Sequence, residues 1–164
     1  MSAKEKPAYK LAWLLVLSIV VLGGCAGPIY EHGRTSSAAS VSDYSTWRIY
    51  GDLLDLPKAI DGNINTAAYT SGNYANAAFT IDLGKPCLFN MVVVDQGLAE
   101  MNFPRRIAVY LSMDGRNFTY VYSAPGTRRV TVLNWVKPEV ARFIRVQAIV
   151  PSDRSWSVAE VYVQ

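Results

Sequence analysis

The run Asp61-Gly62-Asn63-Ile64-Asn65-Thr66 places a carboxylate, amides, a hydroxyl and backbone carbonyls within six residues, with a glycine to bend the chain. Hard Ca²⁺ takes roughly six to eight such oxygens, so this loop is one candidate for chemistry. The same residues also close an Asx turn on their own hydrogen bonds, and both readings stay open. A sugar site asks for different material: an aromatic ring for the apolar side of a pyranose and planar polar side chains for its hydroxyls. Trp47, Tyr50, Tyr69, Tyr74, Trp135 and Trp156 are the candidate rings, and Gln96, Glu100, Asn102, Arg105 and Arg106 cluster as polar partners. Each ring has core packing as its alternative, and Tyr69, Tyr74 and Trp156 are the least committed to alternating segments.

Catalysis has less to work with. The chain holds one histidine, His32, and two cysteines, Cys25 and Cys87, too few for a Ser-His-Asp or Cys-His arrangement or for a zinc site of His and Cys ligands. Two acids suffice for a glycosidase, and Asp95 with Glu100 or Asp153 with Glu160 are the pairs to consider. These acids are expected to be surface charges or part of an ion site, and no enzyme activity is expected. The formal charge of +3 falls to about +1 once Lys4, Glu5, Lys6 and Lys10 are set aside with the leader described next. That value, with the remaining basic residues dispersed, argues against a nucleic-acid partner. Arg128, Arg129 and Arg154 are expected to be solvated.

Lys4, Lys6 and Lys10 precede an apolar stretch from Leu11 to Leu22, which ends in Gly23-Gly24-Cys25. This is the charged, apolar and small-residue order of a secretory signal. Twelve helical residues rise only ~18 Å against a hydrocarbon core of ~30 Å, so a stable transmembrane helix is the weaker reading. Leu22-Gly23-Gly24-Cys25 resembles a bacterial lipobox. That resemblance implies lipidation of Cys25, cleavage before it, and a mature protein anchored by its acyl chains in the bacterial cell envelope. Ala26 after the cysteine favours the outer membrane if the cell has one. Residues 1–24 are then the signal peptide and 25–43, rich in Ala, Ser and Gly, the lipidated end and tether. With Cys25 spent on lipid, Cys87 is expected to be a buried small hydrophobe rather than a disulfide partner.

Residues 44–164 must position the candidate sites. Short apolar segments alternate with turn signals about every ten residues, and sustained helical periodicity is missing. Phe79, Ile81 and Leu83 alternate with Thr80 and Asp82; Met91 to Val94 reads as a strand buried on both sides; Ile107, Val109 and Leu111 share a face. Ser112-Met113-Asp114-Gly115 is a hairpin signal, with Phe118, Tyr120 and Tyr122 on the return strand. Val130 and Val132, then Ile144, Val146 and Ala148, then Val158, Glu160 and Tyr162 continue the period of two. The expected fold is an all-β antiparallel sandwich.

Five blocks carry a further resemblance: Ala59-Ile60-Asp61-Gly62-Asn63 with Thr66; Phe79 to Gly84; Tyr110 to Phe118; Arg142 to Val146; and Ala159-Glu160-Val161. In this order they resemble the discoidin, or coagulation factor 5/8 C-terminal, domain family. The resemblance implies a galactose-binding-like jelly roll related to bacterial carbohydrate-binding modules. It also implies a calcium site in which Asp61 and Glu160 supply side chains, Thr66 its hydroxyl and carbonyl, and Ala59, Asn63 and Ala159 their carbonyls. The loop lacks the glutamate at its twelfth position, where Gly72 stands, that a helix-loop-helix calcium site would use. Ligand loops would cluster at one end of the sandwich, bringing Tyr69, Tyr74, Gln96, Asn102, Arg105 and Trp156 around a sugar. Family members that bind galactose use a histidine, which residues 44–164 do not contain. The functional expectation is a non-catalytic envelope lipoprotein that binds carbohydrate. Its rival is an assembly lipoprotein that docks an envelope protein through the same sandwich. Leu98, Met101 and Phe103 are candidates for an exposed apolar loop tip.

Overall fold

The computed structural model describes residues 41, 44–72 and 75–164. Cys25, His32, Tyr74, the expected signal peptide and the expected tether apart from Val41 lie outside the described residues.

Among the described residues eight strands follow in order: β1 Arg48–Gly51, β2 Ala68–Tyr69, β3 Ala78–Asp95, β4 Arg106–Ser112, β5 Thr119–Pro125, β6 Val130–Val150, β7 Ser157–Val158 and β8 Glu160–Val163. The only helical pieces among the described residues are 3₁₀ turns at Tyr44–Thr46 and Leu56–Ile60. Every strand pair is antiparallel. One sheet runs β1-β3-β6-β4-β5 with β8 added to β3, and β2 pairs with β7 separately. The all-β expectation holds.

The two long strands make the sandwich. The register of β3 against β6 shifts between Asp82 and Cys87 and again between Phe89 and Met91. Gly84, at φ 78°, and Pro86 occupy this break in β3, while Val136-Lys137-Pro138 lies exposed in β6. Strands that bend at bulges pass from one layer of a sandwich to the other. One layer therefore holds β1, β4, β5, the first part of β3 and the last part of β6. The other holds β8 with the remaining parts of β3 and β6. Phe79, Ile81, Ile107, Val109, Ile144 and Val146 face the interior from the first layer, and Val92, Val94, Leu133 and Val161 from the second, all fully buried. The segments around Val130 and Ile144, which read as separate strands in the sequence, are one strand with a corner.

The expectation that Met91 to Val94 is buried on both sides does not hold. Val92 and Val94 are buried whereas Met91 and Val93 are half-buried, so this stretch has one inner face. Any strand of a two-layer sandwich has a core on one face only, unlike the strand of a sheet covered on both faces. Cys87 is buried at 2% exposure, and burial pushes its thiol pKa up. The hairpin at Asp114-Gly115 forms as read: Gly115 has φ 71°, and a Cβ there would meet the Phe143 ring at 3.1 Å.

Candidate functional site

The oxygen-rich loop follows the 3₁₀ turn Leu56–Ile60 and closes as an Asx turn. Asp61 Oδ1 accepts the Asn63 N–H at 2.9 Å, and the Asn63 carbonyl accepts the Thr66 N–H at 3.0 Å. The Thr66 hydroxyl lies 2.7 Å from Asp61 Oδ2 and 2.9 Å from the Asn63 carbonyl. Glu160, the first residue of β8, reaches this loop from the far end of the sequence. Its side chain is 1% exposed, and Oε2 accepts the Gly62 N–H at 2.9 Å. Oε1 has no hydrogen-bond partner among the described residues. Burial, reinforced by the Asp61 charge and opposed by the Gly62 N–H, pushes the Glu160 pKa up from 4.5 to about 7.

A buried carboxyl oxygen without a partner, facing a second carboxylate, is costly until a cation or a proton neutralises it. The donor set fits a hard divalent cation. Asp61, Glu160, the Thr66 hydroxyl and the carbonyls of Ala59 and Ala159, residues with no exposure at all, supply oxygen only. The Asn63 carbonyl is already taken by Thr66. No group of three or more His, Cys, Asp or Glu residues converges among the described residues, so any cation here would depend on neutral oxygens as well as two acids.

The segments expected to carry a ligand are knitted together at one end. Thr70 donates its N–H to the Trp156 carbonyl at 2.9 Å, and Trp156 returns its N–H to Thr70 Oγ1 at 2.9 Å. The Asn102 carbonyl accepts the Ser157 N–H at 2.9 Å, and its amide donates to Ser155 Oγ at 3.3 Å. Arg105 Nη2 is 4.0 Å from Asp153 Oδ1. Tyr69 is 43% exposed and Arg105 is exposed, with Asn102 half-buried. Gly97, at φ 58°, lets the loop after β3 lie against the oxygen-rich loop: a Cβ there would meet the Ile64 carbonyl at 2.5 Å and the Ala159 Cβ at 2.7 Å. The loop after β3 and the oxygen-rich loop are thus packed against each other.

Two residues nominated as sugar contacts are inside the protein. Trp156 is 3% exposed and packs on Phe79 with ring centroids 5.5 Å apart. The reciprocal bonds to Thr70 fix its backbone so that the ring turns into the core. Gln96 has no exposure, because it continues the inward alternation of Val92 and Val94 past the end of β3. That signal was present in the sequence as a period of two. Trp47 and Trp135 are also core residues, at 7% and 6% exposure, whereas Tyr50 is 47% exposed. Thr70, buried beneath the loops and bonded to both Trp156 and the Gly72 carbonyl, organises this end and was not singled out from the sequence.

The end offers a surface rather than a hole. Between Thr70, Gly72, Pro104, Ser152, Arg154 and Trp156 lies a notch of about 10 Å³, room for one water molecule. Beside it, Asp52, Ser71, Asn76 and their neighbours border an open cleft of about 340 Å³. The acids considered for catalysis are each held elsewhere: Asp95 by the Gly97 N–H, Glu100 by Arg128 at 2.6 Å, Asp153 beside Arg105, and Glu160 in the ion loop. Leu98 and Met101 are 81% and 48% exposed, while Phe103 is half-buried.

Residues 36–161 match the F5/8 type C domain. The chain belongs to that family. No curated protein matches it. Among solved structures, this F5/8 type C domain is similar to the family 32 carbohydrate-binding module of Clostridium perfringens NanJ, in complex with galactose. The TM-score is 0.65 at 23% identity, over 73% of this chain and 94% of that one. CpGH89CBM32-5 of the same organism, in complex with GalNAc-β-1,3-galactose, gives a TM-score of 0.66 at 18% identity, over 73% and 96% of the two chains. The chitosan-binding module 2 of a chitosanase/glucanase from Paenibacillus sp. IK-5, in complex with chitotriose, gives 0.64 at 21% identity, over 72% and 95%. At these identities the likeness establishes the galactose-binding-like sandwich as the fold of this F5/8 type C domain.

Proposed function

We propose that this chain is a non-catalytic carbohydrate-binding protein, held in a bacterial envelope by lipid on Cys25. The single observation that carries the binding reading is the hydrogen-bonded end of the sandwich, where Asn102 is tied to Ser155 and Ser157, Arg105 is exposed beside Asp153, and exposed Tyr69 pairs with Ser157 across β2 and β7. Tyr69 would stack on the apolar side of a pyranose, and Asn102 and Arg105 would meet its hydroxyls. Solved relatives of the same fold hold galactose, GalNAc-β-1,3-galactose and chitotriose, which supports a saccharide as the ligand class. The shallow surface and few contacts correspond to Kd values near the millimolar end, about 4 kcal/mol of binding energy. Asp95 and Glu100 are each engaged by a partner and Glu160 is buried against the Gly62 N–H, which supports binding without hydrolysis.

A structural Ca²⁺ at Asp61, Thr66 and Glu160, completed by the carbonyls of Ala59 and Ala159, belongs to the same proposal. Bound there, it would supply the counter-charge for a buried carboxylate and tie β8 to the first loop. The lipid anchor rests on Leu22-Gly23-Gly24-Cys25 after an apolar stretch too short to span, and outer-membrane placement rests on Ala26.

A second reading is favoured by the bare side chain of Leu98, with Met101 near it, at the ligand end. Exposed apolar tips suit docking to an envelope protein. A glycan array probed with the full chain in detergent discriminates the two. Saturable binding to a defined saccharide, lost on Arg105→Ala, supports carbohydrate recognition. A folded protein that binds no saccharide but recovers one envelope protein through Leu98 sinks it.

A further inference from the structure

β4 leads away from the ligand loops at Arg106 and ends about 20 Å off at Ser112. Around that far end a cleft of about 580 Å³ opens between the β4–β5 hairpin and the corner of β6. Met113, Asp114, Asn117 and Tyr120 line it from the hairpin side, and Glu139 and Val140 from the corner. The volume lies in the range of small-ligand sites.

Two kinds of surface meet here. Tyr120 and Met113 are each 55% exposed and Val140 is 37% exposed, leaving apolar area uncovered. The Tyr120 ring is held in place by an edge contact with Tyr110, centroids 5.8 Å apart, and by a 3.2 Å hydrogen bond from its hydroxyl to Ser123. Among these groups stand two carboxylates. Asp114 is fixed by the Arg116 N–H at 2.9 Å, the Asn117 N–H at 2.8 Å, the Asn117 amide at 2.7 Å and the Ser112 hydroxyl at 2.9 Å. Those donors hold its carboxyl far below the usual carboxylate range, so the cleft keeps a negative charge that neither titrates near neutrality nor swings away. Glu139 adds a second, and no Lys, Arg or His is among the lining residues.

The two carboxylates disfavour anions and can accept the hydroxyls of any sugar, but only a cationic group gains their charge as well as their hydrogen bonds. The cleft suits a body with an apolar face, hydroxyls and a positive charge on the same ring. We propose that this cleft is a second ligand site, which takes an amine-bearing saccharide such as a short oligomer of 2-amino-2-deoxyhexose. The ring would lie on Tyr120, its ammonium group would face Asp114 and Glu139, and Asn117 and Thr119 would meet its hydroxyls. A lysine side chain would satisfy the carboxylates but make no use of the fixed ring and the hydroxyl partners. The site is separate from the loop end, and either can fail without the other.

The test is titration calorimetry of the full chain in detergent with three probes: glucosamine trisaccharide, its fully N-acetylated form and tetralysine. The amino form is expected to bind saturably and about tenfold more tightly than the acetylated form, which has lost its charges. Glu139→Gln, an isosteric change at an exposed position, should weaken it roughly threefold to fivefold, and Tyr120→Ala by a similar factor. Thermal melts of both variants report whether the fold is kept. Equal binding of the acetylated form overturns the proposal, as does indifference to Glu139→Gln. Loss of binding in Arg105→Ala would move the ligand to the loop end and also overturn it. Tighter binding of tetralysine would replace the saccharide by a basic peptide.

Discussion

The carboxylate of Glu160 accepts the Gly62 N–H at 2.9 Å and so joins the last strand to a loop 98 residues earlier. Burial raises the pKa of this carboxyl from 4.5 to about 7, so without a cation the folded domain keeps a proton that the unfolded chain releases above pH 4.5. The contribution of this group to stability is therefore full below about 4.5, declines as pH rises, and is lost above about 7. Its size is at most roughly 3 kcal/mol. A bound Ca²⁺ favours the ionised form and reverses this dependence. In chelator, the melting temperature should fall between pH 5 and pH 8. Saturating calcium should remove the fall and add about 2.7 kcal/mol at a hundredfold excess over Kd. Glu160→Gln should flatten the chelator profile and abolish the response to calcium. A wild-type melting temperature indifferent to calcium, chelator and pH would leave the loop as an Asx turn alone.

Asp82 and Arg142 pull the opposite way with pH. Arg142 donates Nε at 2.7 Å and Nη2 at 2.9 Å to the two oxygens of Asp82, close to the corner where β3 and β6 change layers. The Arg142 bonds, helped by the Gly84 N–H, hold the Asp82 carboxyl below its usual range. Its stabilisation is present above the unfolded pKa of 3.8 and lost as pH falls through the lower folded value. Because Arg142 is 40% exposed, Asp82→Asn should cost only about 1 kcal/mol at pH 7. Urea melts at pH 7 and pH 3 check this: the wild type should lose its advantage in acid, and an equal difference at both values would refute the pairing as its source.

The anchor prediction depends on one atom, the sulfur of Cys25. Cys25→Ser should abolish fatty-acid labelling, leave an unprocessed precursor and release nothing from it. Continued labelling of the Ser variant in the membrane fraction would show that Leu22 to Cys25 is not a lipobox.

The fold was legible because a sandwich advertises itself through alternation: Phe79, Ile81 and Leu83 on one face and Ile107, Val109 and Leu111 on another are local patterns. The corners were not legible. Whether the segments around Val130 and Ile144 are two strands or one depends on how Val136-Lys137-Pro138 bends, which is set by the partner strand and its Gly84. The oxygen-rich loop is legible because its oxygens are contiguous, and the approach of Glu160 to it only through family resemblance, since nothing local links it to Gly62. The gathering of the ligand loops at one end of the sandwich was legible, but not the direction of each side chain. Trp156 follows a turn, so no period assigns its face, and the bonds to Thr70 that turn it inward come from 86 residues away. Gln96 differs from expectation for the opposite reason: an amide suggests solvent, while its position two after Val94 puts it inside.

Trp156 and Tyr69, both expected around a ligand, differ in the structure, one buried and one exposed, and this yields the most discriminating pair of variants. Trp156 fills the core against Phe79, so Trp156→Ala leaves a cavity and should destabilise by roughly 3 to 5 kcal/mol, enough to unfold a marginal domain. Any loss of glycan binding in that variant would follow from unfolding. Tyr69 and Arg105 are exposed, and their replacement by Ala should change stability by less than about 1 kcal/mol. If the loop end binds a saccharide, those two variants should weaken it at least about tenfold while melting within a few degrees of wild type. Denaturant melts alongside saccharide titrations separate the outcomes. Should Tyr69→Ala and Arg105→Ala bind normally, the glycan is not held at this end, and the exposed Leu98 makes protein docking the reading that remains for it.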